Sequence, residues 1–249
     1  MSNEKNLSIL GHLAEFRSRL FRSVIAVILT TIVAFVFSNQ IFHVLTLPIK
    51  GNTLIYIDMT EMFGVYMKVG LTAGIFLAMP YLIFQILLFV TPALTLKEKK
   101  YVFVAVPWVA LMFLGGVAFS YFVLLPPAIR FLFSFGSNIA TPQIRIGSYI
   151  DVVTRLMFIT GCIFELPVAT TFLAKLGVVT SEWLAGKRKW AIILAFVLGA
   201  IITPTVDPLN QTLIAAPLIV LYEMSIWLAK LVQSKTGQKS FSYSSLNIK

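Results

Sequence analysis

Four stretches of this sequence, residues 22–42, 65–90, 101–125 and 149–175, stay apolar long enough to cross about 30 Å of hydrocarbon. Shorter apolar runs follow at 190–203 and 209–229. In lipid the backbone must satisfy its own hydrogen bonds, so runs of this length are helices. The spacing predicts an all-α polytopic membrane protein with six transmembrane helices, the last two short: at 1.5 Å per residue, 190–203 reaches only about 21 Å. Composition agrees, because 12% charged residues is about half the fraction of a soluble domain. One cysteine, Cys162, excludes an intrachain disulfide, and two histidines, His12 and His43, make no ligand cluster, so neither metal nor cofactor is expected.

A net charge of +10 would suggest nucleic acid in a soluble protein, but no basic patch here is interleaved with exposed aromatics. Membrane sidedness accounts for it better. With the N-terminus inside, one side receives Lys5, Arg17, Arg19 and Arg22, then Lys97, Lys99 and Lys100, then Lys175, Lys187, Arg188 and Lys189, and finally Lys230, Lys235, Lys239 and Lys249. By the excess of basic residues in cytoplasmic loops, both termini are cytoplasmic. The other face receives two connections, residues 43–64 and 126–148, whose prolines sit among aromatics and aliphatics and read as caps over the outer helix ends. A polar segment precedes the first span and no small-x-small site follows it, which argues against a cleavable signal peptide. Residues 1–232 are expected to form one six-helix domain with an N-terminal amphipathic segment, and 233–249 a polar cytoplasmic tail.

Within the spans, Gly70, Gly74 and Ala78 recur every four residues as a stripe where another backbone can approach. Pro80, Pro107, Pro167 and Pro217 lie inside spans and each removes a donor. Glu165 stands in the apolar run Ile163-Phe164-Glu165-Leu166-Pro167. A carboxylate at that depth costs roughly 2.5 to 3.5 kcal/mol on insertion scales and needs a partner, a proton or water. Two readings stand: a protonated acid that locks helices together, or an intramembrane polar site serving transport.

Other acids are few. In His12-Leu-Ala-Glu15-Phe-Arg17-Ser-Arg19-Leu20, the residues Leu13, Phe16 and Leu20 share one face of an amphipathic helix and Glu15 points elsewhere. Glu15 can pair with Arg19 one turn on, an interaction worth a few tenths of a kcal/mol at a surface. Glu98 is the acid of the Lys97-Glu98-Lys99-Lys100 loop and balances its charge. Asp207, in the connector Thr203-Pro204-Thr205-Val206-Asp207-Pro208, either caps the last helix or serves partner docking, and Gln211 opens that helix with a polar side chain.

Taken together, the segment from His12 to Leu20, Leu47-Pro48, Phe89 through Pro92 to Glu98, Gly116 to Phe122, Phe164-Glu165-Leu166-Pro167, Arg188-Lys189-Trp190, and Thr203-Pro204 through Asp207 to Gln211 resemble the TatC family, the multi-spanning receptor of twin-arginine protein translocation. The resemblance runs from about residue 8 to residue 230 and rests on the order and spacing of the motifs. It implies a receptor in the cell inner membrane that binds twin-arginine signal peptides of folded cargo and transports that cargo using the proton-motive force. Its implied partners are small single-span Tat subunits of the TatA and TatB type, membrane lipids and further copies within a larger complex. On this resemblance Glu15 and Glu98 match the signal-recognition carboxylates, with Arg17 and Phe89 flanking them. Glu165 matches the family's buried acid in the fourth span, Pro48 lies in the first outer loop, and Thr203, Asp207 and Gln211 belong to the region where partner helices dock.

The chemistry suits these residues. A paired-arginine signal presents two planar guanidinium forks, each able to make two parallel charge-assisted hydrogen bonds with a carboxylate, which lysine cannot copy. Two other classes compete. A proton- or ion-coupled transporter would use Glu165 for coupling but usually carries repeated halves, and none are visible here. An intramembrane protease would need a serine–histidine or paired-aspartate arrangement, and no nucleophile, metal motif or phosphate loop is present, so no catalytic site is expected.

Overall fold

The structure is a computed structural model that describes residues 2–49, 53–90, 96–134, 139, 143–202 and 208–244. It is almost entirely helical and divides into two compact units, Met1–Leu111 with Gln143–Thr154, and Met112–Pro142 with Arg155–Lys249.

In the first unit, α1 (Ser2–Val36) is followed by α2 (Ser38–Thr46), a 3-10 turn (Leu47–Ile49), strand β1 (Leu54–Ile55) and α3 (Glu61–Val90). The small-residue stripe of α3 receives α1. An ideal Cβ on Gly70 would lie 2.6 Å from the Phe35 ring, and one on Gly74 would lie 2.5 Å from the Thr31 Cα, so only glycine permits this approach. Thr30 Oγ1 donates to the Gly74 carbonyl at 2.8 Å, and Ala78 is fully buried on the same stripe. Away from α3, helix α1 exposes Phe21, Val24, Ile28, Leu29, Ile32 and Val36. Soluble monomers rarely expose a continuous apolar band like this one, and hydrocarbon accounts for it.

The two long connections meet in this unit. Strand β1 pairs in parallel with β2 (Ile144–Arg145), Leu54 opposite Ile144 and Ile55 opposite Arg145. Arg145 donates to Asp58 at 3.1 Å and to both oxygens of Glu61 at 2.9 and 3.3 Å. The amides of Ile57 and Gly147 also donate to Glu61, at 3.0 and 3.3 Å. Tyr149 closes the join by donating its hydroxyl to the Leu45 carbonyl at 2.6 Å, and Lys68 pairs with Asp151. The two connections are thus tied to each other by backbone and ion pairs, and the two short strands are an addition to the all-helical expectation.

The second unit takes the end of α4 (Leu96–Phe119), a π-helical turn (Ser120–Leu124), α5 (Leu125–Ser134), the end of α6 (Ile146–Phe164), α7 (Leu166–Lys175), α8 (Ser181–Gly186), α9 (Arg188–Ile202) and α10 (Pro208–Ser244). Pro126 and Pro127 lack the N–H groups that would bond Phe122 and Val123, and the chain passes that place by a wider turn. Gly177, at φ +73°, ends α7 in the left-handed region, with the Val178 amide donating to the Leu173 carbonyl at 3.0 Å. The segment after it is fastened to α10. Gln233 accepts from the Ser181 amide and donates to the Val179 carbonyl, Tyr222 donates to the Leu184 carbonyl, and Arg188 forks onto Glu223 at 2.7 and 3.0 Å. Ala174, Leu184, Ile226 and Ala229 pack beneath these bonds.

Among the described residues five helical segments are long and apolar enough to span: 13–36, 61–89, 106–134, 146–175 and 211–233. The shortness expected of the fifth run holds, since α9 has 15 residues. The shortness expected of the last does not: its apolar segment covers 23 residues, and α10 continues to Ser244 without a break at residue 232. Apolar composition ends near Ala229, but no proline follows it and a single glycine, Gly237, is tolerated within a helix, so the helix outlasts its hydropathy.

Candidate functional site

Glu15 lies on α1 one turn before Arg19, and the two form the pair anticipated from their spacing. The Arg19 guanidinium donates to Glu15 Oε1 through Nε at 3.0 Å and through Nη2 at 2.5 Å. This is not a surface contact, because the two side chains are only 18% and 33% exposed. The third guanidinium nitrogen, Nη1, donates to Gln85 Oε1 on α3 at 3.2 Å, and Gln85 Nε2 donates to the Tyr81 hydroxyl at 2.6 Å. Gln85 is 5% exposed, so a buried amide on the second span anchors an arginine on the first. Arg19 is the hub of a four-residue chain, Glu15–Arg19–Gln85–Tyr81. Beside it, Phe16 and Phe89 bring their rings to 5.4 Å in a tilted pair, which places Phe89 next to the Glu15 turn.

Arg17 goes elsewhere. Two residues along a helix turn the direction by about 200°, so Arg17 leaves on the side away from Glu15 and lines an open, mostly apolar groove with Ala14, Ser18 and Phe21. The structure therefore separates Arg17 from the Glu15 carboxylate. Glu98 falls in the first turn of α4, but its side chain lies outside the described residues, as do Thr203 and Asp207. Pro48 is half-buried in the 3-10 turn after α2. Gln211 reaches across to α9, donating from Nε2 to the Phe196 carbonyl at 2.8 Å, and an ideal Cβ on Gly199 would lie 3.0 Å from its backbone oxygen. That bond joins the short α9 to the start of α10.

Glu165 sits at the break between α6 and α7. Its amide bonds Cys162 at 3.2 Å, a tightened turn, and Pro167 follows at the start of α7 with no N–H to continue the ladder. The side chain is 8% exposed, and neither carboxylate oxygen finds a hydrogen bond among the described residues. Ser120 and Thr160, both buried, likewise leave their hydroxyls unpaired. The three belong to one helix crossing. A Cβ on Gly116 would lie 2.9 Å from both the Gly161 Cα and the Phe164 Cβ, and the Phe119 and Phe164 rings are 5.5 Å apart. Ser120 is one turn from Gly116, Thr160 adjoins Gly161, and Glu165 adjoins Phe164. Buried polar atoms left unpaired in this way cost about 1–3 kcal/mol each, and water or a polar guest would satisfy them. Among the described residues no group of three or more metal-ligating side chains occurs.

Sequence reading passed over Gln85 and Tyr81, yet a signal was present: Gln85 interrupts the apolar run Leu82-Ile83-Phe84-Gln85-Ile86-Leu87 as conspicuously as Glu165 interrupts its own. The arginine clasp of Glu61 and Asp58 had no such signal, since its members are 84 and 87 residues apart.

Known proteins agree on what this arrangement is similar to. Residues 11–217 match the family model described as Sec-independent protein translocase protein (TatC). The Sec-independent protein translocase protein TatC of Carboxydothermus hydrogenoformans is 36% identical over 234 residues, 93% of this chain and 96% of that one. Its counterpart in Aquifex aeolicus is 39% identical over 230 residues, 90% and 95% of the respective chains. A solved structure, the crystal structure of the twin-arginine translocase receptor TatC, superposes with a TM-score of 0.78 at 38% identity, covering 89% of this chain and 99% of that one.

Proposed function

The chain belongs to the TatC family of Sec-independent protein translocase proteins, and on that footing we propose that it is the receptor that binds twin-arginine signal peptides and carries their folded cargo across the membrane. It is a multi-spanning membrane protein and a component of the Tat translocase, a transport subunit and not a catalyst. The observation that carries the finer reading is the guanidinium grip of Glu15: at the start of the first span, a carboxylate accepts two N–H groups from an arginine. A carboxylate set to receive one planar guanidinium fork is set to receive another.

In this reading Glu15 and Glu98 bind the two signal arginines, with Phe89 against the apolar part of the signal. Arg17, turned to the other face, contacts lipid headgroups or the flank of the signal and not the arginine pair. The surrounding lysines and arginines repel signals that lack the fit. The chain crosses the membrane six times with both termini cytoplasmic, α9 being the short fifth span where the bilayer thins or neighbouring protein covers its ends. The polar start of α10, with Pro48 in the first outer loop, receives the single-span Tat partners and further copies of the receptor. Glu165 provides the intramembrane polar site, and the proton-motive force supplies the energy.

The test is binding of a synthetic signal peptide with adjacent arginines to the purified full-length receptor in nanodiscs. Glu15→Ala and Glu98→Ala should each weaken binding by about tenfold or more, the loss of a charge-assisted contact, while insertion is unchanged. If both carboxylates grip one arginine pair, the double variant loses less than the two single losses combined. Unchanged affinity in both single variants would overturn the reading.

A further inference from the structure

The arginine already seated on Glu15 has a consequence for how a second one arrives. Arg19 places Nε and Nη2 on the same carboxylate oxygen and holds its remaining nitrogen to Gln85, whose own amide is fixed by the Tyr81 hydroxyl. A surface arginine would be loosely held and easily ignored. Here the Arg19 side chain is four-fifths buried and clamped from both sides, so a ligand guanidinium that takes Glu15 must dislodge it or share the carboxylate with it.

We propose that Arg19 is a built-in competitor for the ligand-binding carboxylate, and that Gln85 is the seat onto which it is transferred when a signal arginine binds. The inference rests on the assignment of Glu15 to signal recognition. Its physical basis is the asymmetry of Arg19's two partners. Glu15 offers a charged acceptor and Gln85 a neutral one, so the pair with Glu15 carries a Coulomb attraction that the amide cannot supply. With no ligand, the carboxylate keeps Arg19. When a signal guanidinium arrives, Glu15 exchanges one fork for another at little cost, and Arg19 retains a hydrogen bond through Gln85 and avoids being left buried and unpaired, which is the expensive outcome.

The exchange sets specificity. A ligand lysine offers a single point charge and cannot match the two N–H groups that converge on the Glu15 oxygen it would have to take. Only a guanidinium competes on equal terms. The internal arginine therefore raises the threshold for every cation and passes the planar one, trading affinity for discrimination.

The experiment measures binding of two labelled synthetic peptides to the full-length protein in nanodiscs, one with adjacent arginines and one with both replaced by lysine. In Arg19→Gln the arginine peptide should bind several-fold tighter and associate faster, and the lysine peptide should gain proportionally more. Gln85→Leu, which removes the seat but keeps the volume, should weaken arginine-peptide binding several-fold in the native background. Its effect should vanish in Arg19→Gln, because there is no longer an arginine to receive. Arg19→Lys should fall between native and Arg19→Gln in its discrimination.

Weaker binding of both peptides to Arg19→Gln, with the Gln85→Leu effect unchanged in that background, would overturn the proposal and make Arg19 a mere support for Glu15. Thermal unfolding of each variant in the same nanodiscs separates lost binding from lost fold. The underlying assignment fails differently: if Glu15→Gln leaves both affinities unaltered, Glu15 is no receptor for signals, whatever Arg19 does.

Discussion

The carboxylate of Glu165 shows how much one side chain can depend on what occupies the space beside it. It is buried at the break between α6 and α7, follows a turn tightened onto Cys162, and has neither oxygen bonded among the described residues. Glutamine keeps its shape and hydrogen-bonding capacity without the ionisable proton, and alanine removes both. Glu165→Gln is expected to insert and bind signal peptide as the native protein does, whereas Glu165→Ala lowers transport of a folded cargo into membrane vesicles by about tenfold, corresponding to about 1.4 kcal/mol. Normal transport by the alanine variant would make the residue a tolerated packing acid. Equal failure of both variants with binding preserved would assign the role to ionisation itself. Glu165 and Glu15 were both legible in the sequence, because an acid in an apolar run and a charge pair one turn apart are visible without a fold. Gln85 carries no charge, so charge counting passed it over although it interrupts an apolar run, and its partner Arg19 is found only when α1 is laid against α3.

Helices here pack through what they lack. The α1–α3 contact exists because Gly70 and Gly74 have no side chains, so Gly74→Val drives a branched Cβ to about the position now held by Thr31, where an ideal Cβ would be 2.5 Å from the Thr31 Cα. Overpacking of this kind costs roughly 1–3 kcal/mol. The melting temperature of the purified protein should fall clearly in Gly74→Val and stay within error in Gly115→Ala, since a Cβ on Gly115 meets nothing within 4 Å. A Gly74→Val protein as stable as the native one would remove the stripe from the account. The stripe itself was readable, because a period of four along a helix is a geometric statement. The end of the third span and the length of the last were not. A proline pair usually stops a helix, but at Pro126 and Pro127 the chain widens into a π turn and starts α5 with the prolines in its first turn, where no N–H is needed. Hydropathy, likewise, reports where lipid would be tolerated and not where helical hydrogen bonding stops.

For the whole molecule the decisive quantity is sidedness. Single cysteines placed near Lys97 and near Lys187 in a Cys162→Ser background should react with an impermeant maleimide only from the cytoplasmic face, and cysteines near Gly51 and Gly136 only from the opposite face. Labelling of Lys187 and Lys97 positions from different faces would mean that the chain crosses a different number of times between them. The same readout tests α9, whose 15 residues reach about 22 Å against a hydrocarbon core of about 30 Å: if α9 crosses, residues before and after it must label from opposite sides. Basic residues make a topology readable in the sequence because they act singly and locally, and the labelling decides whether that reading holds. The join between the two long connections was not readable there, because a parallel pair of two-residue strands needs partners that no local pattern links. That join also imposes an order on the chain's manufacture. Leu54 and Ile55 are synthesised some ninety residues before Ile144 and Arg145, and at 5–20 residues per second the delay is about 5 to 20 s. Throughout it Glu61 and Asp58 lack their arginine and β1 lacks its neighbour, so a nascent chain halted before residue 143 should expose this region to a protease supplied from that side, and a chain extended past residue 151 should lose the cut. The clasp is thus a sign that the first three long helices are already made, because Ile144 and Arg145 directly precede the fourth.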